Sequence, residues 1–362
     1  MNDQIVGAPQ GAAPFPLSIL DFAMAGRGVT APEALEASIE LARLVDRRGF
    51  HRYWVAEHHA MPGVTTSSPA MLLARLVGET QRVRLGAGGM MLPNFPPLVV
   101  AEQFGLLASM APGRIDLGIG RAPGTDMNTA AALRRGQTGK EDFSAQFMEL
   151  LAFLDDDFPD DHPFKAEVYA VPGRRQEQEN GVPRSFARPP VWLLGSSDYS
   201  ARLAAQLGLP FAFAAHLADQ NVMMAVDLYR RHFQPSAVLD TPYVMASFGV
   251  MAADDGHEAQ RQAWAYSHAM MRMSTGRSFV VPTAEEAETY AYSTRERRIM
   301  AMWNAKTLSG TGHQVVEKLR AWQGRVEADE LMILNLGHSP QAIYRSTELI
   351  ADGLGLPPNV GQ

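Results

Sequence analysis

Short apolar runs alternate along the chain with stretches whose apolar residues recur every three or four positions. The first run, Leu17–Asp21, ends in an acid. Behind it, Thr30-Ala-Pro-Glu33 has the form of a capping box with proline in the first helical turn. Leu35, Ile39, Ala42 and Val45 then keep helical spacing up to Gly49, which stops the helix. Further strand-like runs fall at Arg52–Ala56, Val83–Met90, Ile115–Gly120, Val191–Leu194, Phe211–Ala215, Tyr243–Ala252 and Glu330–Leu336. Helical stretches run from Ser68-Pro69 to Glu79, over Leu98–Met110, from Ser196-Ser197-Asp198 to Leu207, and over Asp219–Phe233, His257–Met271 and Pro340–Asp352. Eight strands alternating with helices predict a parallel sheet, and eight units fit a closed (β/α)8 TIM barrel better than an open sheet.

Two segments break this rhythm. Residues 155–190 are charged and proline-rich without a helical period, and they read as a surface excursion with a small hairpin around Lys165–Ala170. Residues 272–312 form a second insertion between the seventh and eighth units. Its first part, around residues 273–283, is expected to be a mobile loop, and Ala284–Met302 to be helical. In a barrel that insertion leaves near the carboxyl ends of the strands, where a lid belongs. Residues 1–15 have neither a basic start nor an apolar core, so they are expected to be a flexible leader rather than a signal peptide. Residues 16–362 are then one barrel domain carrying both insertions.

Composition narrows the chemistry. Zero cysteines exclude disulfides, thiolate metal centres, iron–sulfur clusters and a catalytic thiol. A net charge of −7 without a basic run argues against nucleic acid as a partner. No apolar stretch approaches the roughly 20 residues of a membrane span, so a cytoplasmic enzyme is expected. The 19 methionines supply soft side chains for core gaps or an apolar pocket.

In a barrel the reactive face is built from residues just after each strand. Here these are Asp21-Phe22, Glu57-His58-His59, Gly88-Gly89 through Asn94, Arg121, Gly195-Ser196-Ser197 and His216. This collection suits an anionic, planar ligand better than a metal. Ser196, Ser197 and Ser200 open a helix, where free N–H groups and hydroxyls make a phosphate site; plain N-capping is the alternative. Arg121 supplies complementary charge or a surface ion pair. Adjacent histidines on a strand point to opposite faces, so His58 and His59 do not chelate one ion easily. One of them can face the cavity as general acid or base, or serve as a hydrogen-bonded structural group. Three glycines between Leu85 and Pro93 weaken a strand unless a ligand or another backbone comes close. A proline-rich loop follows them directly, so they are not a dinucleotide fingerprint.

These blocks together resemble the bacterial luciferase-like flavin monooxygenases. The matching segments are Arg52-Tyr-Trp-Val-Ala-Glu-His-His59, residues 83–97, residues 112–126, Trp192-Leu-Leu-Gly-Ser-Ser197 and Gly208-Leu-Pro-Phe-Ala-Phe213, threading the chain from about residue 16 to 352. The resemblance implies a (β/α)8 barrel binding FMN at the carboxyl ends of its strands. It implies a non-prolyl cis peptide at Gly88-Gly89 beneath the isoalloxazine, and a phosphate site at Ser196, Ser197 and Ser200. Asn94, Arg121 and Gly195 are expected in the same flavin site. His58 matches the histidine proposed as catalytic base, and residues 272–298 match a loop that closes over reduced flavin. Phe22, Trp54, Met61 and Phe95 are candidate pocket walls. Phe95 stands where close relatives are expected to carry histidine, and Gly195 where luciferase carries glutamate. The luciferase reactive cysteine is absent, so light emission is not expected.

The implied activity is a two-component monooxygenase. Reduced FMN, as co-substrate, would come from a separate NAD(P)H:flavin reductase, and O2 would oxidise a small organic substrate such as an aldehyde. A homodimer through helices of the second and third units is implied, and no metal. The alternatives on the same fold are a deazaflavin-dependent dehydrogenase or reductase, and a flavin-binding protein without turnover.

Overall fold

A strand buried on both faces must be apolar nearly throughout, and this property marks the barrel wall. In the computed structural model, which describes residues 5–134, 143–165, 167–182 and 186–358, all eight expected strands form. They are β1 (Leu17–Asp21), β2 (Arg52–Val55), β3 (Arg84–Met91), β4 (Ile115–Gly120), β5 (Val191–Gly195), β6 (Phe211–Phe213), β7 (Val244–Ala253) and, after an additional β8 (Leu308–Thr311), β9 (Glu330–Asn335). Strands β1 to β7 pair in parallel in sequence order; β7 then pairs with β9, and β9 with β1, closing an eight-stranded ring. Strand β8 stays outside the ring, paired with the end of β7 from Leu308 opposite Val250 to Thr311 opposite Ala253.

Alternation along each strand divides the apolar side chains between two cores. Tyr53, Val55, Leu85, Leu117 and Leu193 pack outward under the helices. Leu20, Trp54, Trp192, Met245 and Met332 fill the barrel. The first helix, Ala31–Arg47, begins at the expected capping box: Thr30 N–H donates to Glu33 at 2.8 Å, and Glu33 N–H donates back to the Thr30 hydroxyl at 3.4 Å.

The amino end of the barrel is closed by charge. Arg52 is fully buried, with Nη1 2.8 Å from Asp116 and Nε 3.1 Å from Glu330, both also fully buried. Arg84 adds a second cation at 2.6 Å from Asp116, and the Tyr243 hydroxyl donates to Glu330 at 3.0 Å. Burial alone pushes the Asp116 carboxyl up, but Arg84 and Arg52 outweigh it and hold the group below its ordinary value. The segment expected as a leader packs here from Ile5 onward. The Ile5 side chain is buried, its carbonyl accepts from Arg52, and Gly7 N–H donates to the Tyr243 hydroxyl at 2.9 Å.

Where the expectations fail, the reasons are local. No hairpin forms around Lys165–Ala170 among the described residues. Phe153, Phe158, His162 and Phe164 instead form one ring cluster, Phe153 packing on Phe158 and Phe164 and His162 on the same two rings, with turn bonds such as Lys165 N–H to His162 O at 3.0 Å replacing a cross-strand ladder. The helix expected over Ala284–Met302 is two helices, Ala284–Thr289 and Thr294–Ala305. Tyr290 and Tyr292 break it by packing their rings on His268, and Ser293 caps the second piece. Helices Met127–Arg134, Phe143–Asp155 and Gly312–Val326 were not expected.

Candidate active site

The strands end at a cavity of about 260 Å³. Its floor is the glycine-rich end of β3. A Cβ on Gly88 would lie 2.7 Å from Leu20 and 3.1 Å from Trp54, and one on Gly89 would lie 2.8 Å from the Gly118 carbonyl. Only glycine lets this strand lie so close to its neighbours while its other face stays bare to the cavity. The peptide joining Gly88 and Gly89 is cis, and the β3–β4 register shifts here. Beyond the glycines, buried Glu57 holds the chain in place. It accepts from Met91 N–H at 2.9 Å and Asn94 Nδ2 at 3.1 Å, and His59 Nε2 lies 2.8 Å from it.

One wall is the start of the helix Asp198–Leu207. Ser197 is its N-cap in extended conformation, yet its hydroxyl makes no capping bond, so the plain-capping alternative is not what is found. A Cβ on Gly195 would collide with the Ser200 hydroxyl, so glycine there is what brings buried Ser200 up to the strand end. Ser196, Ser197 and Ser200 therefore line the cavity beside the glycine floor at a helix start, where the first N–H groups lack partners within the helix. Arg121 stands at the rim with its guanidinium 4.2 Å from the centre of the Tyr199 ring, and among the described residues it has no ion-pair partner.

His58 enters from the end of β2. Its N–H donates to Thr66 O at 2.9 Å, and its ring packs at 4.8 Å against Phe22. Burial, helped by His59, lowers its pKa to about 4, so the imidazole is neutral at pH 7. Its Nδ1 is sealed from solvent and has no hydrogen-bond partner. His216 lines the same cavity, also lowered to about 4 by burial.

Of the residues singled out from sequence, His58, Gly88, Gly89, Arg121, Gly195, Ser196, Ser197, Ser200, Phe22 and Met61 line this one cavity. Asn94, Trp54 and Phe95 do not. Asn94 is a brace, donating to Glu57 and, at 3.0 Å, to Pro123 O. Trp54 lies inside the barrel beneath the glycines, its indole donating to Asp116 at 3.2 Å and its ring edge-on to Trp192. Phe95, just past the turn Leu92–Asn94, packs into the outer core. Sequence reading missed Tyr266 and Met270 of the facing wall, on the helix Gly256–Ser274; Met273 and Phe279, which line it too, fall within the stretch 272–298 expected to close over flavin. Their loop is tied down by Gly63 N–H to Phe279 O at 2.9 Å and Arg27 N–H to Val281 O at 2.8 Å.

A family model described as luciferase-like monooxygenase matches residues 16–326, nearly the whole barrel. The chain belongs to the luciferase-like monooxygenases. It is 40% identical over 336 residues to a luciferase-like monooxygenase of Escherichia coli K12, covering 92% of this chain and 96% of that one. It is 32% identical over 341 residues to the N-acetyl-S-alkylcysteine monooxygenase of Bacillus subtilis, covering 93% and 98%. Among solved structures, apo-MsnO8 superposes with a TM-score of 0.81 at 32% identity, covering 95% of this chain and all of that one. The fold alone is shared with the oxygenating constituent of 3,6-diketocamphane monooxygenase from Pseudomonas putida in complex with FMN (TM-score 0.69, 16% identity, coverage 94% and 98%) and with an F420-dependent secondary alcohol dehydrogenase (0.61, 14%, 96% and 99%). This luciferase-like monooxygenase is therefore a flavin-dependent oxidoreductase. Its described residues hold no cluster of three or more metal-ligating side chains. No helix among them is long and apolar enough to cross a membrane.

The buried histidines give this luciferase-like monooxygenase a defined acid sensitivity. His51, His58 and His216 are each lowered to about 4, chiefly by burial, against 6.5 in an unfolded chain. The unfolded state thus binds more protons between these values. The stability from keeping the rings neutral is complete above the unfolded pKa and is lost as pH falls towards 4. By pH 5 the loss is on the order of 2 kcal/mol per ring, which corresponds to a Tm roughly 10 °C below that at pH 7. Calorimetry across this range checks it; a flat Tm would mean the rings are not buried neutral.

Proposed function

We propose that this cavity takes reduced FMN, delivered by a separate NAD(P)H:flavin reductase. With O2 it oxidises a small apolar organic substrate such as an aldehyde, one oxygen atom entering the product and the other leaving as water. The observation that carries this reading is the convergence of a bare glycine floor, a serine-lined helix start and a neutral histidine in one apolar chamber. Bound reduced flavin supplies two electrons to O2. Ser196, Ser197 and Ser200, with the helix N-terminus, hold the phosphate, and Arg121 adds charge at the rim. Phe22, Met61 and Phe279 exclude water, and His58 moves a proton at its cavity-facing nitrogen. The 40% and 32% identical relatives, both named monooxygenases, support oxygen rather than hydride chemistry. Exposed Met71, Val99, Leu106 and Met110, on the helices Pro69–Val77 and Pro97–Met110 of the second and third units, support the homodimer.

Supplying FMNH2 under ¹⁸O2 is expected to place one labelled atom in each product molecule. Product formed without label would replace this reading with deazaflavin-type hydride transfer. The phosphate assignment has its own test. In a Ser196→Ala/Ser197→Ala double variant the Kd for FMN is expected to rise about tenfold or more while riboflavin binding is unchanged. Equal losses for both ligands would place the phosphate elsewhere.

A further inference from the structure

His216 has no part in the reading above, yet its surroundings fix its chemistry. It sits in the short helix Ala215–Ala218 after β6, and its Nδ1 lies 2.9 Å from the Ser247 hydroxyl on β7. Ser247 is buried, and its hydroxyl donates to the Phe213 carbonyl at 3.2 Å. A serine hydroxyl has one hydrogen and a carbonyl can only accept, so that hydrogen is spent on Phe213. Towards His216 the Ser247 oxygen can then only accept, which puts the ring hydrogen on Nδ1. Burial lowers the ring's affinity for a second proton, the Ser247 backbone opposes this by hydrogen bonding, and nearby His58 and Lys306 lower it further. At pH 7 the imidazole is therefore neutral, and Nε2 is an open lone pair. The ring lines the cavity, and no described residue bonds to Nε2.

We propose that His216 is a second catalytic residue of this cavity, its Nε2 accepting the proton of an O–H or N–H group at the reacting centre, with Ser247 as the positioning residue that fixes its tautomer. The proposal rests on the cavity being the reaction chamber. When the proton moves to Nε2, the imidazolium keeps its Nδ1 hydrogen on Ser247. The proton passes on to the oxygen atom that departs as water, so the ring ends the cycle neutral and no outside acid is needed.

Two measurements decide it. A long-range ¹H–¹⁵N spectrum of flavin-free protein at pH 7 is expected to show His216 as the Nδ1–H tautomer, becoming a mixture in Ser247→Ala. An Nε2–H tautomer in the unsubstituted protein overturns the proposal. His216→Asn keeps a donor for Ser247 but has no atom at the Nε2 position. Its kcat is expected to fall about 100-fold, with KM and the FMN Kd within about threefold of the starting values. His216→Gln, whose amide reaches further, is expected to recover part of that loss; an unchanged kcat in His216→Asn overturns the assignment. The spectrum needs no turnover, so a failed oxygenation assay counts against the oxygenase reading alone, and the tautomer still decides for or against His216.

Discussion

Replacing His58 with alanine is expected to leave FMN binding within about threefold and to lower kcat by roughly 10²–10⁴-fold, the range removed with a positioned proton-transfer group. The two effects separate because the surfaces proposed to hold flavin lie elsewhere. The glycine floor comes from β3 and the serines follow β5, whereas His58 reaches the cavity from the end of β2. Its neutral state also sets the pH dependence. With the pKa lowered to about 4, the ring stays neutral from pH 8 down to about 5, and kcat/KM should be level across that interval before it falls in acid. A kcat/KM titration centred near the ordinary histidine value would show that the ring is not buried neutral in the free enzyme. Unchanged turnover in His58→Ala would remove this residue from the mechanism. Stopped-flow traces with FMNH2, read beside flavin titrations, measure both quantities.

The second large effect is structural. Arg52→Met is expected to destabilise the barrel by about 3–5 kcal/mol in urea unfolding, because it leaves buried carboxylates behind. Asp116 keeps Arg84, but Glu330 is left with only the neutral donors Ser18 and Tyr243. The control is Arg345→Met, which breaks the ion pair with Asp254 where the two side chains are 48% and 68% exposed. That substitution is expected to cost under about 1 kcal/mol. Similar costs for the two would show that burial of the Arg52 cluster is not what makes it count.

The barrel was legible because its wall strands are mostly apolar on both faces, which writes them as short apolar runs broken by few polar residues. Strand β8 was not, and the reason is its place outside the ring: Leu308-Ser-Gly-Thr311 alternates buried with part-buried residues, contains glycine and has no apolar run. A signal was present beside it, since Thr311 and Gln314 form a capping box that starts the helix Gly312–Val326. The half of the cavity made by residues following strands was legible once the topology was read, because the barrel carries every strand end to one face. Trp54 failed as a wall because it lies within β2, one layer below that face; His58 comes after the strand has ended. The opposite wall was hidden for a different reason. Tyr266, Met270 and Met273 recur at the helical spacing of an ordinary core stripe, and nothing in that spacing says that the stripe borders a void.

The unequal lengths of two neighbouring strands shape how a molecule meets this cavity. Strand β7 runs ten residues beside three for β6, and its last four, Val250–Ala253, carry β8. That extension leads into the helix Gly256–Ser274, whose Tyr266, Met270 and Met273 line one side of the cavity together with Phe279. Arg121 after β4 and the serines after β5 give the same cavity its polar part. Under the proposed reading, a long ligand with one charged end would rest that end at Arg121 and the serines and lay its flat apolar part against Tyr266, Met270 and Phe279. The length of one strand thus carries an apolar helix and loop to one side of the cavity.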